Sequence, residues 1–322
     1  MQNDIILETR NLCVDYPVKK RSFFEKKKVL SAVSDVSLKI MRGETFGLVG
    51  ESGCGKSTLA NTTLGFVKPT SGEVLYAGKK IEYGDKKCIR EVRSHMQKIF
   101  QDPNSSLNPR FTVRDIICEP VRIRNNVSRG EMDRIAEDII EAVGLSVSDL
   151  DRYAIDFSGG QQQRIAIARA LILKPEYIVC DEPVSALDVS VHAQILNLLM
   201  DMQQKTGTTY LFISHNLAVV KKICSRIAIM YMGKVVEYGD ATAIYDNPKH
   251  PYTKALLSAV LDIDSDKADK RIILKGDVAS PIDVPAGCRF AARCPVAQKD
   301  CAVNECRLVE IEDNHYVACP YS

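Results

Sequence analysis

A short apolar segment runs directly into a glycine-rich loop near residue 50, and this junction constrains the fold more than any other part of the chain. Residues 45–49 are apolar enough for a buried strand of a parallel sheet. The next residues fit the pattern G-x-x-x-x-G-K-[ST], and a helix is predicted to begin at Lys56. The matching residues are Gly50-Glu51-Ser52-Gly53-Cys54-Gly55-Lys56-Ser57.

The residue types of this loop match the needs of a triphosphate. Glycines let the backbone curl so that successive N–H groups point at phosphate oxygens, and the following helix adds its positive N-terminus. Lys56 supplies a mobile cation, and the Ser57 hydroxyl is a suitable Mg²⁺ ligand. Residues 50–57 are therefore a predicted phosphate loop that binds ATP with Mg²⁺.

Further apolar segments alternate with helical ones, which predicts an α/β fold with a mostly parallel sheet. Buried strands are predicted at 177–180 and 210–213, and helices at 160–173 and about 190–205. Residues 4–16 and 29–40 show partial alternation and are expected to form strands of an antiparallel β-subdomain. Residues 102–157, with a helical stretch from 128 to 143, read as an inserted helical subdomain.

The length and composition indicate one large domain with an appendage. The chain has 322 residues, which exceeds an average domain. We expect an ATPase domain over 1–245 and a cysteine-bearing extension over 246–322. The formal net charge of +2 creates no field that favours nucleic acid as a partner. No run of 18 apolar residues and no apolar signal-peptide core are visible, so a cytosolic location is expected.

Polar residues follow the predicted strands at the edge where ligands of parallel sheets bind. Asp181 and Glu182 close the strand 177–180 and suit, respectively, the Mg²⁺ shell and the general base that polarises the attacking water. His215 ends the strand at 210–214 and is expected to meet the γ-phosphate. Gln101, after a strand-like segment, could sense Mg²⁺ and the water. A solvated turn acid and a structural histidine or glutamine remain the alternatives.

One more motif lies far from the phosphate loop, at Ser158-Gly159-Gly160-Gln161-Gln162. It resembles the signature motif of ABC ATPases, and the order of the other motifs fits that family over about residues 5–245. The matching positions are Tyr16 for the aromatic that stacks on adenine, Gly50 to Thr58 for the phosphate loop, Gln101 for the Q-loop, Asp181 and Glu182 for the second acidic motif, Ser185-Ala186-Leu187-Asp188 for the D-loop, and His215 for the switch histidine. Phe157 departs from the usual leucine but keeps apolar packing.

The resemblance implies how such a chain works. A serine and two glycines at a helix N-terminus form an anion site. In the family, Ser158, Gly159, Gly160 and Gln161 would cap the γ-phosphate bound to another subunit. The resemblance thus implies a dimer of ATPase subunits, which we expect to be a heterodimer.

Three further segments of the sequence resemble segments in the ATPases of oligopeptide and dipeptide importers. They are Phe100-Gln101-Asp102-Pro103-Asn104-Ser105-Ser106-Leu107-Asn108-Pro109-Arg110, Asn247-Pro248-Lys249-His250-Pro251-Tyr252-Thr253, and Gly287-Cys288-Arg289-Phe290-Ala291-Ala292-Arg293-Cys294-Pro295. The long loop at 17–28 is more similar to the second of the two ATPase subunits in such systems.

This resemblance implies peptide import at the cytoplasmic face of the membrane. The implied partners are two membrane-spanning permease subunits and an extracellular peptide-binding protein. The alternatives are a soluble ABC ATPase acting on nucleic acid or ribosomes, an importer ATPase for nickel or another small solute, and an exporter ATPase. The short separation of Ser57 and Ser158, and the single core, argue against the nucleic-acid and ribosomal types.

Five of the eleven cysteines lie in the last 35 residues. Four of them have the spacing C-x5-C-x6-C-x17-C, which fits neither a zinc ribbon nor a ferredoxin and leaves the metal open. They are Cys288, Cys294, Cys301 and Cys319. Resemblance to related importer ATPases favours a [4Fe–4S] cluster with a structural role, with zinc or no metal as alternatives, and Cys306 as a spare.

Overall fold

The computed structural model describes residues 4–18, 28–124, 127–259, 272–274, 276, 280–282 and 284–322. The loop predicted at 17–28 therefore lies mostly outside the described residues. Within the described ranges, no helix combines the length and apolar character that a membrane crossing requires.

The β-strands of the described residues follow one another in chain order. They are β1 (Ile5–Pro17), β2 (Val29–Met41), β3 (Thr45–Val49), β4 (Ser71–Tyr76), β5 (Lys79–Lys80), β6 (Met96–Ile99), β7 (Tyr177–Asp181), β8 (Thr209–Ser214), β9 (Arg226–Tyr231), β10 (Lys234–Asp240), β11 (Val309–Glu312) and β12 (His315–Val317).

The α-helices alternate with these strands. They are α1 (Lys56–Thr63), α2 (Lys86–His95), α3 (Pro103–Ser106), α4 (Val113–Arg124), α5 (Arg129–Ala142), α6 (Gly159–Leu171), α7 (Val189–Thr206), α8 (Leu217–Ile223), α9 (Ala241–Asp246) and α10 (Pro251–Ser258).

The chain divides into two compact units. The first consists of Met1–Ile6, Met41–Glu44 and Glu82–Ile213. Its centre is three parallel strands in the order β6-β7-β8, with all five residues of β7 buried. Between β6 and α6 the chain forms α3, α4, α5 and two short 3₁₀ turns, where the sequence predicts a helical insertion.

The second unit consists of Leu7–Ile40, Thr45–Ile81 and Ser214–Ser322. It contains a sheet in the order β2-β1-β4-β5, in which β1 pairs antiparallel with β4 and β4 with β5. A second set of strands runs in the order β11-β12-β10-β9-β3. Here only β3 and β9 are parallel, whereas the other neighbours are antiparallel. The α/β class is confirmed, with strand arrangements that are mixed rather than mostly parallel.

The β11–β12 hairpin is a feature that the sequence patterns miss. The four residues of β11, Val309-Glu310-Ile311-Glu312, alternate between apolar and acidic types, but all four are exposed, so this short alternation does not mark a buried face. Backbone pairing of β12 with β10 holds it instead, at Glu237↔Val317 and Tyr238↔Tyr316.

A buried polar cluster joins this C-terminal hairpin to the start of α10. The Glu237 carboxylate is fully buried and accepts hydrogen bonds from the backbone N–H groups of Lys249 (2.8 Å) and His250 (2.9 Å). The Nε2 atom of His315 lies 2.8 Å from the same carboxylate. At His250, Nδ1 accepts the N–H of Tyr252 at 3.1 Å and caps α10. Because a buried carboxylate costs free energy unless it is satisfied, these bonds fix the position of residues 249–252.

We expect the neutral state of His250 to make this unit acid-sensitive. Burial, with a smaller contribution from Lys254, lowers the pKa of His250 from 6.5 to about 3. As the pH falls below 6.5, the unfolded chain takes up a proton that the folded chain does not accept until about pH 3. The stability due to the neutral imidazole is therefore complete above pH 6.5 and is lost progressively below it, by roughly 2 kcal/mol at about pH 5.

The matched variant is His250→Asn, because an asparagine oxygen caps a helix but has no proton to gain. Urea denaturation at neutral pH and at about pH 5 should show a larger loss of unfolding free energy for the wild type than for the variant. Equal losses would show that His250 does not cause the acid sensitivity.

Candidate functional site

The phosphate loop, residues 50–57, connects β3 to α1 and adopts a conformation that only its glycines allow. Gly55 is the N-cap of α1 with φ of +107°, in the left-handed region that side chains rarely enter. A Cβ atom on Gly55 would lie 2.1 Å from the carbonyl oxygen of Ala32. One on Gly50 would lie 2.2 Å from that of Met230. The sequence pattern and the observed backbone therefore agree at this loop.

Lys56 places its ammonium group inside the loop. Its Nζ donates to the carbonyl oxygens of Gly50 (2.8 Å) and Glu51 (2.9 Å), and the residue is buried. A buried ammonium group needs such acceptors. Lys56 is thus a cation at the start of a helix, an arrangement that attracts a polyanion.

The residues predicted around the acidic pair come together in the first unit. Gln101 follows β6, Glu182 follows β7, and Gln101 Nε2 donates to Glu182 Oε2 at 3.1 Å. The parallel register of β6 and β7, with Ile99 opposite Cys180, brings these two residues to one edge. Glu182 has φ of +48°, which is uncommon for a residue with a side chain and is a mark of functional sites. Its carbonyl oxygen accepts the N–H (3.2 Å) and the hydroxyl (3.0 Å) of Ser185, which hold that conformation.

Lys98 is a residue of this edge that sequence reasoning missed. Its Nζ lies 2.8 Å from Asp181 Oδ2, and both side chains are nearly buried. The pair balances the Asp181 charge within the unit. The available signal was the lysine of the segment Lys98-Ile99-Phe100, which the sequence pattern indicates only as strand-like.

The turn before α6 has its own capping network. Ser158 Oγ accepts the N–H of Gln161 at 3.4 Å, and Gln161 Oε1 accepts the N–H of Ser158 at 3.1 Å. This reciprocal pair is a capping box. A side chain on Gly160 would approach Cγ1 of Val191 to 2.6 Å, so the close packing of α6 on α7 requires glycine there. Gly159 has more room, with Leu187 at 3.5 Å.

The remaining predicted residues are placed as follows. Ser185 and Ala186 are exposed, Leu187 is half-buried, and Asp188 stands at the N-cap position of α7 without a side-chain capping hydrogen bond. Tyr16 is the penultimate residue of β1, with 40% of its surface exposed. His215 follows β8 and is exposed. Ser52 and Gly53 are exposed in the phosphate loop, whereas Cys54 is buried. That Tyr16, the phosphate loop, His215 and the acidic pair act on one nucleotide stays a prediction.

The tail cysteines do not support the predicted metal centre. All five are free thiols, and the Cys288 N–H donates to the Cys301 carbonyl at 2.8 Å. Burial, together with nearby thiols including Cys319, raises the pKa of Cys294. Burial and the same neighbours raise the pKa of Cys306 to about 11. The thiols are therefore neighbours, yet in the described part of the chain no three His, Cys, Asp or Glu side chains are arranged to hold a metal ion. The [4Fe–4S] prediction from spacing and resemblance is not supported, because spacing places cysteines near one another without fixing their geometry.

Two family models match the chain. The model described as "ABC transporter" matches residues 33–185, and the model of the "Oligopeptide/dipeptide transporter, C-terminal region" matches residues 236–301. The first contains the phosphate loop, the acidic pair and the capped turn before α6, and the second contains the residues around Glu237 and His250.

Similar proteins cover nearly the whole chain. The oligopeptide transport ATP-binding protein OppF of Haemophilus influenzae is 46% identical over 98% of this chain and 97% of its own length. The protein of the same name from Salmonella typhimurium is 47% identical over 99% and 96%. Among solved structures, an ATP-binding cassette determined as a dimer in a post-hydrolysis state with ADP and Pi has a TM-score of 0.64. It is 28% identical and covers 73% of this chain and 98% of that one.

Proposed function

This chain belongs to the ATP-binding subunits of oligopeptide ABC transporters, and we propose that it hydrolyses ATP to drive the import of peptides across the cytoplasmic membrane. The observation that carries the proposal is the phosphate loop, with Gly55 in a left-handed conformation and the Lys56 ammonium held among the loop carbonyls. Such a loop at a helix N-terminus binds the phosphates of a nucleotide.

The binding residues have separate roles in this proposal. Residues 50–58 bind the β- and γ-phosphates through backbone N–H groups of the loop other than that of Glu51 and through the Lys56 ammonium, and Tyr16 stacks on the adenine ring. Ser57 and Asp181, with Gln101, supply the hard oxygen ligands that Mg²⁺ prefers, and the ion neutralises phosphate charge when bound.

Glu182 is the proposed general base. Its carboxylate accepts a hydrogen bond from Gln101, which orients it, and a carboxylate in this position takes the proton from the attacking water. His215 contacts the γ-phosphate and stabilises the charge that develops there. The positive φ at Glu182 supports the assignment, since unusual backbone conformations concentrate at catalytic residues.

The turn of residues 158–161 and the D-loop of residues 185–188 act on a partner subunit. The chain already has one helix N-terminus for its own phosphates, at α1, so the capped N-terminus of α6 is available as a second anion site. We propose that Ser158, Gly159 and Gly160 close over the nucleotide of a second ABC ATPase in a heterodimer. The attacking water is then enclosed only when the dimer closes.

The other partners follow from the family. The proposed complex contains two membrane-spanning permease subunits, receives peptide from an extracellular binding protein, and places this chain at the cytoplasmic face of the membrane. A net charge of +2 gives no support to a nucleic-acid partner.

Uptake of a labelled tripeptide by cells tests this function. Cells without the chain should lose uptake, the wild-type gene should restore it, and Ser158→Arg should leave it about 100-fold lower, as expected when a donor to transition-state charge is lost. The purified Ser158→Arg chain should still bind ATP, because its own phosphate loop is intact.

Ser128→Arg is the matched control. Ser128 caps α5 through the N–H of Glu131 at 3.4 Å, the distance found at Ser158, but lies outside the proposed anion site. The Ser128→Arg replacement should lower the free energy of unfolding by about 1 kcal/mol and leave peptide uptake unchanged. Unchanged peptide uptake in cells without the chain, with loss of nickel uptake instead, would contradict peptide import.

A further inference from the structure

A short segment of the C-terminal extension, residues 287–295, contacts the phosphate loop directly. Arg293 Nη1 donates to Glu51 Oε2 at 2.9 Å, with the Arg293 side chain only 11% exposed and that of Glu51 27% exposed. Burial acts against the charged form of Arg293, but its bonds to Glu51 and to the Tyr231 hydroxyl outweigh this and raise its pKa. The ion pair joins residues that are 242 positions apart in the chain.

Tyr252 of α10 contacts the same residue of the loop. Its hydroxyl accepts the backbone N–H of Glu51 at 3.0 Å. The ring is fully buried, with its centroid 4.7 Å from that of Tyr231 and 5.4 Å from that of Phe290. Packed aromatic rings of this kind hold a hydroxyl in place because they leave few alternative rotamers. Glu51 is thus held at its side chain by Arg293 and at its backbone by Tyr252.

A second arginine of the segment holds the loop indirectly. Arg289 donates to the carbonyl oxygen of Met232 in the turn between β9 and β10. The next residue of that turn, Gly233, donates its N–H to the Cys54 carbonyl at 2.8 Å. Two arginines four positions apart therefore support the phosphate loop at Glu51 and at Cys54.

The charge of Glu51 explains why this support matters. Glu51 is the one acidic residue between Gly50 and Ser57, in a loop that otherwise attracts polyanions. An uncompensated carboxylate there would repel a triphosphate, and repulsion is strong where water is partly excluded. Arg293 neutralises that carboxylate and fixes its direction.

We propose that Arg293 is a positioning residue for the nucleotide site, so that the C-terminal extension sets the affinity of the phosphate loop for ATP. The inference rests on the proposed ATPase function and adds to it a role for residues beyond the ATPase motifs. Arg293 acts through Glu51, and Tyr252 fixes the backbone on which Glu51 sits.

Calorimetric titration of the purified full-length chain with MgATP tests the proposal. Arg293→Gln should raise the Kd about tenfold, because the Glu51 carboxylate is left unpaired near the phosphates. Arg293→Lys should restore most of the affinity, since it keeps the positive charge. Removing the carboxylate as well, in Glu51→Gln with Arg293→Gln, should bring the Kd back to within about threefold of the wild type.

The double variant separates the loss of charge neutralisation at Glu51 from a folding defect. A structural defect caused by losing Arg293 would persist when Glu51 is also changed, whereas an electrostatic defect would disappear. The matched control is Glu312→Gln, which breaks the exposed ion pair with Lys249 (2.6 Å) in the same extension and should leave the Kd unchanged.

The outcomes distinguish the two proposals. Absence of MgATP binding by the wild type would overturn the ATPase function itself. Binding by the wild type with an unchanged Kd in Arg293→Gln, or a weakened Kd that Glu51→Gln does not rescue, would overturn only the role of Arg293.

Discussion

Replacing Glu182 by glutamine should lower the rate of ATP hydrolysis by about 10²- to 10⁴-fold while leaving MgATP binding intact. Glutamine keeps the size of the side chain but cannot take a proton from water. The isosteric change also spares the backbone, which is held at φ of +48° by Ser185. Phosphate release by the purified chain together with the proposed partner ATPase, compared with nucleotide affinity from titration, measures the two effects separately. The variant should also accumulate a stable ATP-bound dimer.

Glu176→Gln is the matched control for this experiment. Glu176 immediately precedes β7, whereas Glu182 immediately follows it, and Glu176 pairs with Arg42 and His95. Replacing Glu176 removes an acid from the other end of β7. The rate of ATP hydrolysis should stay within about twofold of the wild-type rate, because partly exposed ion pairs contribute little. Hydrolysis by Glu182→Gln at a rate close to that of the wild type would exclude Glu182 as the base.

Replacing Lys56 by alanine should weaken MgATP binding by about 100-fold or more, since each hydrogen bond to a charged group contributes roughly 1.5–3 kcal/mol. Lys56 is the cation of the phosphate loop, and its ammonium lies against the carbonyl oxygens of Gly50 and Glu51. The effect should therefore appear in the Kd itself, which distinguishes it from Glu182→Gln. Titration with MgATP makes this measurement.

Lys222→Ala provides the comparison for the charge change. Lys222 lies on the exposed surface of α8, outside the phosphate loop. Lys222→Ala changes the net charge by the same amount as Lys56→Ala, and it should leave the Kd for MgATP within the error of the titration. If Lys56→Ala bound MgATP as tightly as Lys222→Ala, the phosphate loop would not be the nucleotide site.

Local patterns predicted much of the secondary structure. The strand predicted at 177–180 is Tyr177–Asp181, and the helix predicted at 160–173 is Gly159–Leu171. These elements were readable because buried strands are continuously apolar and capped helices begin at a serine. The meeting of Gln101 and Glu182 at one edge was predictable for a similar reason, since parallel strands share an edge at their carboxyl ends.

Sequence patterns did not predict contacts between residues that lie far apart in the chain. The alternating residues of β11 are all exposed and bury no face, and the pairing of β12 with β10 is visible only in the folded chain. The metal prediction is unsupported for a related reason. The spacing of Cys288, Cys294, Cys301 and Cys319 indicates a cluster, but a metal site also requires bond directions that spacing does not contain.

The residue types alone indicated the phosphate loop, because glycine at 55 permits a left-handed backbone and lysine at 56 supplies a cation. The same holds for the membership of the chain in its family, which depends on the order of the motifs. Only the tertiary structure decided which distant groups balance the buried charges. The pairing of Glu51 with Arg293, of Asp181 with Lys98, and of Glu237 with His315 follows from how the strands and loops pack, and electrostatic satisfaction is a property of the packed state.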